Sequence, residues 1–172
     1  MARARFLSMD RGTPTTRTPF TGACLCGAVR YSVSAPPLPL STTVCNCKDC
    51  QRSSGSAFSV VVPVRTAALT VEGDALATFN TTGTDSDEVR DRKFCSTCGS
   101  QVLSVLAEAP EITWLKAGTL DDTSWVTPTM QVWGESAQPW TKKLIRRPRI
   151  KRGPPTAALR LSRPLLKALD RK

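Results

Sequence analysis

The chain has 172 residues, 40% of them apolar, which suits one domain with a buried core and excludes wholesale disorder. It contains no histidine, so Ser-His-Asp triads, Cys-His pairs and every histidine-ligated metal site are excluded. The net charge of +10 belongs to the C-terminal end: residues 141–172 hold 12 Lys/Arg against one acid, whereas residues 1–140 hold 12 against 13 and are close to neutral.

Residues 1–19 carry Arg3, Arg5, Arg11 and Arg17 and lack the apolar core of a secretory signal, so they read as a disordered leader. The same Arg-rich, acid-poor composition suits a mitochondrial presequence, although Pro14 and Pro19 weaken a long helix there. The cytoplasm is therefore the expected compartment, with the mitochondrion as the alternative. No apolar run reaches the roughly 20 residues of a membrane span.

Residues 20–140 read as the folded body. Strands are expected at Ala28 to Val33, Ser56 to Val62 (ending at Pro63), Ala68 to Glu72, Val89 to Phe94, Gln101 to Leu106, Ile112 to Ala117 and Thr129 to Trp133. Breaks are expected at Thr82-Gly83 and Ala109-Pro110. Helix is scarce: one short turn over Lys48 to Ser54, and a second over Asp121 to Trp125 with Asp121 as its cap. Many short strands with little helix predict an all-β fold of small antiparallel sheets. Residues 141–172 form a basic tail, nearly continuous charge from Lys142 to Arg152 and, after Gly153-Pro154-Pro155, a short amphipathic pattern from Ala157 to Lys172.

The cysteines carry the chemistry. They fall in three clusters, Cys24 and Cys26, then Cys45, Cys47 and Cys50, then Cys95 and Cys98. Seven cannot all pair as disulfides, and a CxC pair is too stiff to bridge easily. Metal is the better reading. Thiolates two residues apart can face one ion, and the Gly that follows Cys26 and Cys98 relieves the tight turn and brings backbone N–H groups toward sulfur. A closed structural zinc site takes four ligands and a catalytic one keeps a position open. Seven divides as four plus three. The two doublets, with 68 residues between Cys26 and Cys95, would close most of the body into one loop. The triplet suits an open position. Other partitions, Asp49 as a further ligand and iron–sulfur chemistry also satisfy the spacing.

The motifs Gly22-Ala23-Cys24-Leu25-Cys26-Gly27-Ala28-Val29-Arg30-Tyr31, Cys45-Asn46-Cys47-Lys48-Asp49-Cys50 through Phe58, and Phe94-Cys95-Ser96-Thr97-Cys98-Gly99-Ser100 resemble, in order, those of the glutathione-dependent formaldehyde-activating enzyme family, whose domain is shared with centromere protein V. Ala117 to Asp122 and Ser136 to Trp140 also match, so the resemblance covers about residues 20–140. It implies small antiparallel sheets around zinc, a β-tent, with two zinc ions per chain. Cys24, Cys26, Cys95 and Cys98 would hold the structural ion, and Cys45, Cys47 and Cys50 the catalytic one. It further implies carbon–sulfur lyase-type chemistry, the condensation of formaldehyde with glutathione to S-hydroxymethylglutathione. Asn46 and Met130 stand where many members have His.

A three-thiolate zinc with an open position can activate a small thiol for addition to an aldehyde. Arg52, two residues past Cys50, is the candidate cation for an anionic thiol such as glutathione, and Trp133 and Trp140 are candidate pocket aromatics. Without histidine, proton transfer falls to water, to Asp49 or to the thiol itself. The competing reading is a non-catalytic zinc module whose basic tail contacts nucleic acid or another anionic partner. A tailoring enzyme for a different thiol adduct is a third.

Overall fold

The computed structural model describes residues 19–38, 42–145 and 147–153. Nearly all of the leader and the amphipathic pattern from Ala157 to Lys172 lie outside the described residues. Among the described residues ten strands run in chain order: β1 Phe20–Ala23, β2 Arg30–Val33, β3 Thr43–Cys45, β4 Ser59–Arg65, β5 Leu69–Glu72, β6 Leu76–Thr82, β7 Val89–Cys95, β8 Gln101–Leu106, β9 Ala109–Lys116 and β10 Met130–Val132. Helices α1 Lys48–Ser54 and α2 Thr141–Leu144 are short. The strand-rich reading with little helix holds. Strands β1, β2 and β5 form one sheet, in that order, and the other seven form a second in the order β10-β3-β4-β9-β8-β7-β6. Pairing is antiparallel except between β10 and β3, which run parallel.

The two sheets face each other across the core. Val29, Tyr31 and Val33 from the β2 side of the smaller sheet pack with Val62, Val64, Val102, Leu103 and Leu115 of the larger one. The central strands β4, β8 and β9 are apolar on most positions because both of their faces are covered. Burying each such Val or Leu contributes roughly 1.5–3 kcal/mol.

Local departures from the sequence reading have identifiable causes. β4 does not end at Pro63 but runs through it to Arg65. β3 has already ended beside Val61, so the side of β4 away from β9 is open at Pro63, where its carbonyl accepts from Leu38 N–H at 2.8 Å. A proline without an N–H costs no ladder bond on such an edge. β9 begins at Ala109, so Ala109-Pro110 lies inside it and the turn is one step earlier. No helix spans Asp121 to Trp125. Asp121 N–H donates to the Thr21 carbonyl and its carboxylate lies 3.7 Å from Arg30, so the residue tethers the chain to the smaller sheet instead of capping a helix. β1, β3 and β6 are too short or too polar to stand out by periodicity.

Packing continues past residue 140, where the sequence changes to the basic tail. Thr141 is fully buried. Gln131 N–H donates to the Pro148 carbonyl and Ile150 N–H to the Gln131 carbonyl, each at 2.8 Å, so residues 148–150 lie alongside β10 as a further parallel rung.

Gly22 illustrates how tightly the smaller sheet is docked. It pairs with Tyr31 across β1 and β2, and a Cβ there would collide with the Tyr31 hydroxyl and with the Thr119 carbonyl oxygen. The Tyr31 hydroxyl is itself held to the Thr119 hydroxyl at 2.9 Å, so it cannot swing aside without losing that bond. Gly22→Ala is expected to destabilise the metal-loaded protein by roughly 1–3 kcal/mol, read as a lowered midpoint in thermal unfolding. An unchanged midpoint would show that β1 can shift away from Thr119.

Candidate metal centres and the adjoining cavity

All seven cysteines are free thiols and they gather into two groups. Cys24 and Cys26 follow β1, and Cys95 and Cys98 close β7. Their four sulfurs lie within 4.8 Å of one another. The Cys24–Cys26 separation is 3.6 Å and Cys26–Cys95 is 3.8 Å. Four sulfurs about 2.3 Å from a tetrahedral ion would be separated by about 3.8 Å, so this donor set fits a closed thiolate site. Gly27 and Gly99 adopt φ of 79° and 74°, the left-handed conformation that each knuckle needs and that a side chain would strain. Val29 N–H points at Cys24 Sγ at 3.2 Å. The two knuckles are joined by a 3.1 Å bond from Leu25 N–H to the Ser100 hydroxyl. Hydrogen bonding with the Ser100 hydroxyl and backbone lowers the Cys98 thiol to about 5.

The second group is the triplet. Cys45 ends β3, Cys47 caps the N-terminus of α1 and Cys50 lies in its first turn. The three sulfurs also lie within 4.8 Å, with Cys45 and Cys47 at 3.5 Å. Cys47 Sγ accepts from Cys50 N–H at 3.4 Å, so the sulfur serves as the cap that starts the helix. Hydrogen bonds from Cys45 and Cys47, with the charges of Lys116 and Arg92, hold the Cys50 thiol well below the usual range. Three soft donors fit an ion with an open position.

The triplet borders a cavity of about 240 Å³. Val61, Pro63, Leu106, Trp114 and Val132 form apolar walls, and Met130 is among the lining residues. Three cations, Arg90, Arg92 and Lys116, reach it, together with Asp49, Asp85 and Glu88. Arg92 and Lys116 are each only 9% exposed. Arg92 lies 3.4 Å from the Asp49 carboxylate and donates to the Thr81 hydroxyl at 3.2 Å. Asp49 also accepts from Thr84 N–H and hydroxyl at 3.0 and 2.6 Å. Lys116 Nζ donates to the Ser59 hydroxyl at 3.1 Å, and Ser59 pairs in register with Cys45. Burial pulls the Lys116 amine down.

The structure separates the residues singled out in the sequence. Arg52 does not line this cavity. It borders a second, more open pocket with Phe79 and Phe94, on the other side of the Asp49–Arg92 pair. Trp133 does line the cavity, whereas Trp140 is 53% exposed and does not. Asn46 is fully buried and turned toward β10, donating to the Val132 carbonyl at 3.0 Å. Sequence reasoning missed Arg92 and Lys116, which stand 42 and 66 positions from Cys50. Their signal was a charge within a strand pattern, most plainly Lys116 at the end of the apolar run Ile112-Thr113-Trp114-Leu115. Trp133 adopts φ 58° and ψ 46°, a left-handed conformation that costs a bulky residue roughly 1–2 kcal/mol. Its ring is held by the Arg152 guanidinium at 5.7 Å and by close approach of Gly153.

The fold and its cysteines define a β-rich protein with one group of four and one group of three thiols, each placed so that it could hold a metal ion. A sequence profile of the glutathione-dependent formaldehyde-activating enzyme family matches residues 19–136, and the chain belongs to that family. It is also similar to a Rhodobacter sphaeroides protein of known crystal structure, at 22% identity over 76% of this chain and 99% of that one, with a TM-score of 0.49. Among the described residues no helix is long and apolar enough to cross a membrane.

The Asp49–Arg92 pair has side chains only 16% and 11% exposed, so removing one partner strands the other charge. Arg92→Ala is expected to cost roughly 3–5 kcal/mol in denaturant unfolding of the metal-loaded protein. The double variant Asp49→Ala/Arg92→Ala should recover part of that loss. Strict additivity of the two single changes would show that the pair is not coupled.

Proposed function

We propose that the chain is a zinc-dependent enzyme of carbon–sulfur lyase type, acting on a thiol–aldehyde adduct such as S-hydroxymethylglutathione, formed from glutathione and formaldehyde. The observation that carries this reading is the convergence of three cysteine sulfurs on a cavity that also holds two buried cations, in a chain of the formaldehyde-activating family. Cys24, Cys26, Cys95 and Cys98 are assigned to a structural zinc, and Cys45, Cys47 and Cys50 to an open one.

Bound at the triplet, zinc supplies a fourth position that favours the ionised over the neutral form of a thiol. The chain's own residues do the rest. Cys45, Cys47 and Cys50 would bring three negative charges as thiolates and a substrate thiolate a fourth, of which a bound zinc dication would offset two. Lys116 opposes that accumulation directly, and Arg92 does so in part because Asp49 offsets it. When a thiolate adds to an aldehyde, a carbon–sulfur bond forms and the carbonyl π pair moves onto oxygen, which takes a proton to become the hydroxyl. The reverse step returns that proton as the carbon–sulfur bond breaks. Lys116 has three N–H donors and spends one on Ser59. The others suit the oxygen that gains charge. Asp49 is committed to Arg92 and Thr84, so water and Lys116 replace it in handling the proton. The apolar walls exclude bulk water and strengthen these charge interactions.

Two expectations test the assignment. Elemental analysis should find two zinc ions per chain. Cys47→Ser should leave a folded protein with one, whereas Cys95→Ser, at a fully buried sulfur joining distant segments, should cost the fold. Iron, or a single ion in the unaltered protein, would overturn it. Lys116→Met should keep both ions and lower kcat/KM for glutathione with formaldehyde by roughly 10²-fold. Full activity in that variant would remove Lys116 from the mechanism.

A further inference from the structure

We infer that residues 147–153, which lie beyond the family-matched stretch, form one wall of the triplet cavity, and that Ile150, with Trp133, sets the size of the aldehyde substituent that the site accepts. This rests on the proposed thiol–aldehyde activity and adds a specificity element to it.

Four observations carry it. First, Ile150 and Gly153 line the same cavity as the three cysteines. Ile150 is also 41% exposed, which puts it at the rim, where the cavity meets solvent. Second, the segment is hydrogen-bonded in place. Beyond the Gln131 rung, Gly134 N–H donates to the Ile150 carbonyl at 2.9 Å and Glu135 N–H to the Lys151 carbonyl at 3.2 Å. Third, Arg149 anchors it from within. Its guanidinium donates to Gln131 Oε1 at 3.1 Å and to the Thr141 hydroxyl at 3.3 Å, and both partners are buried. Fourth, the segment holds Trp133 in its left-handed conformation. Arg152 lies over the ring, and a Cβ on residue 153 would stand only 3.0 Å from it. Backbone strain in a bulky residue persists only where its surroundings over-determine it, and such positions cluster at ligand sites.

The cavity they close is small. At about 240 Å³ it falls below the roughly 300–1,000 Å³ of clefts that bury drug-sized ligands. A tripeptide thiol must therefore leave most of its length outside, and the enclosed part is the sulfur with the carbon attached to it. An apolar side chain at the rim then discriminates on the bulk of that carbon's substituent, an effect of roughly 10-fold or more per group.

The test uses the full-length zinc-loaded protein, with Ile150→Ala and Ile150→Trp. Formaldehyde, acetaldehyde and butyraldehyde are each offered with glutathione, and KM and kcat are measured separately. In parallel, the rate at which 4-(2-pyridylazo)resorcinol withdraws zinc is followed. The triplet's phase is identified as the one missing from Cys47→Ser. Ile150→Trp is expected to raise KM for butyraldehyde by roughly 10-fold or more while sparing formaldehyde, and Ile150→Ala to shift the preference the other way. The triplet's zinc should leave faster from Ile150→Ala and slower from Ile150→Trp, with the second phase unchanged. Uniform changes across the aldehydes, or extraction rates that do not separate in that order, overturn the inference. If the unaltered protein turns over none of the adducts while extraction still follows the variants, the proposed activity fails and the wall stands.

Discussion

Four sulfur atoms from segments 69 positions apart meet between the end of β1 and the end of β7, and the arrangement of both sheets depends on that meeting. β1 belongs to the three-stranded sheet and β7 to the seven-stranded one. The junction adds to the apolar side chains packed between the two sheets and to the hydrogen bonds that Thr119 and Asp121 make with Tyr31 and Thr21. Sulfurs this close cannot all ionise unless a cation offsets their repulsion. A metal held there would therefore supply both the charge balance and the closure of a long loop, whose entropy is otherwise lost on folding.

The triplet applies the same donor chemistry to a different end. Its three sulfurs come from one strand end and one helical turn, so they clamp nothing distant. They face instead a space bounded by strands from across the larger sheet. β4 and β9 bring Ser59 and Lys116 beside Cys45, and β7 brings Arg92 against Asp49 of α1. The cations are buried because they are paired or hydrogen-bonded there, and their charge has the sign that a cluster of thiolates requires. The cavity lining is formally balanced, three cations against three acids, in a body that is itself close to neutral over residues 1–140.

Beside the triplet, the edge of the larger sheet is finished by polar side chains. Asn46, Gln131 and Thr141 are all buried, and Arg149 reaches two of them from the start of the basic tail. Gln131 Nε2 donates to the Ile145 carbonyl at 3.0 Å and its Oε1 accepts from Arg149, so one amide joins β10 to the chain that covers it. Buried polar groups of this kind are tolerated because they are hydrogen-bonded, and they fix one register in place of several. The start of the basic tail is thereby structural, although nothing in its charge pattern distinguishes it from a solvated extension.

Much of the site was legible because its signals are local. The CxC, CxxC and CxCxxC spacings each lie within a turn or two of chain, and the choice of sulfur donors follows from the absence of histidine. Ligand counting favoured the four-plus-three grouping over the other partitions that the spacing allows, and the sulfurs meet in those groups. Alternation located β2, and short apolar or β-branched runs located β4, β5, β8 and β9. What the sequence did not contain was any relation between residues far apart. Arg52 is near Cys50 in sequence but faces another pocket, since a helix turns successive side chains to different sides. Lys116 and Arg92 reach the cavity only through the pairing of β4 with β9 and of β7 with β8, and Ile150 only because the chain returns along β10. The sequence by itself thus determined the chemistry of the donors and their local geometry. Which charges and which apolar side chains surround the triplet was decided by strand order, a property of the whole sheet.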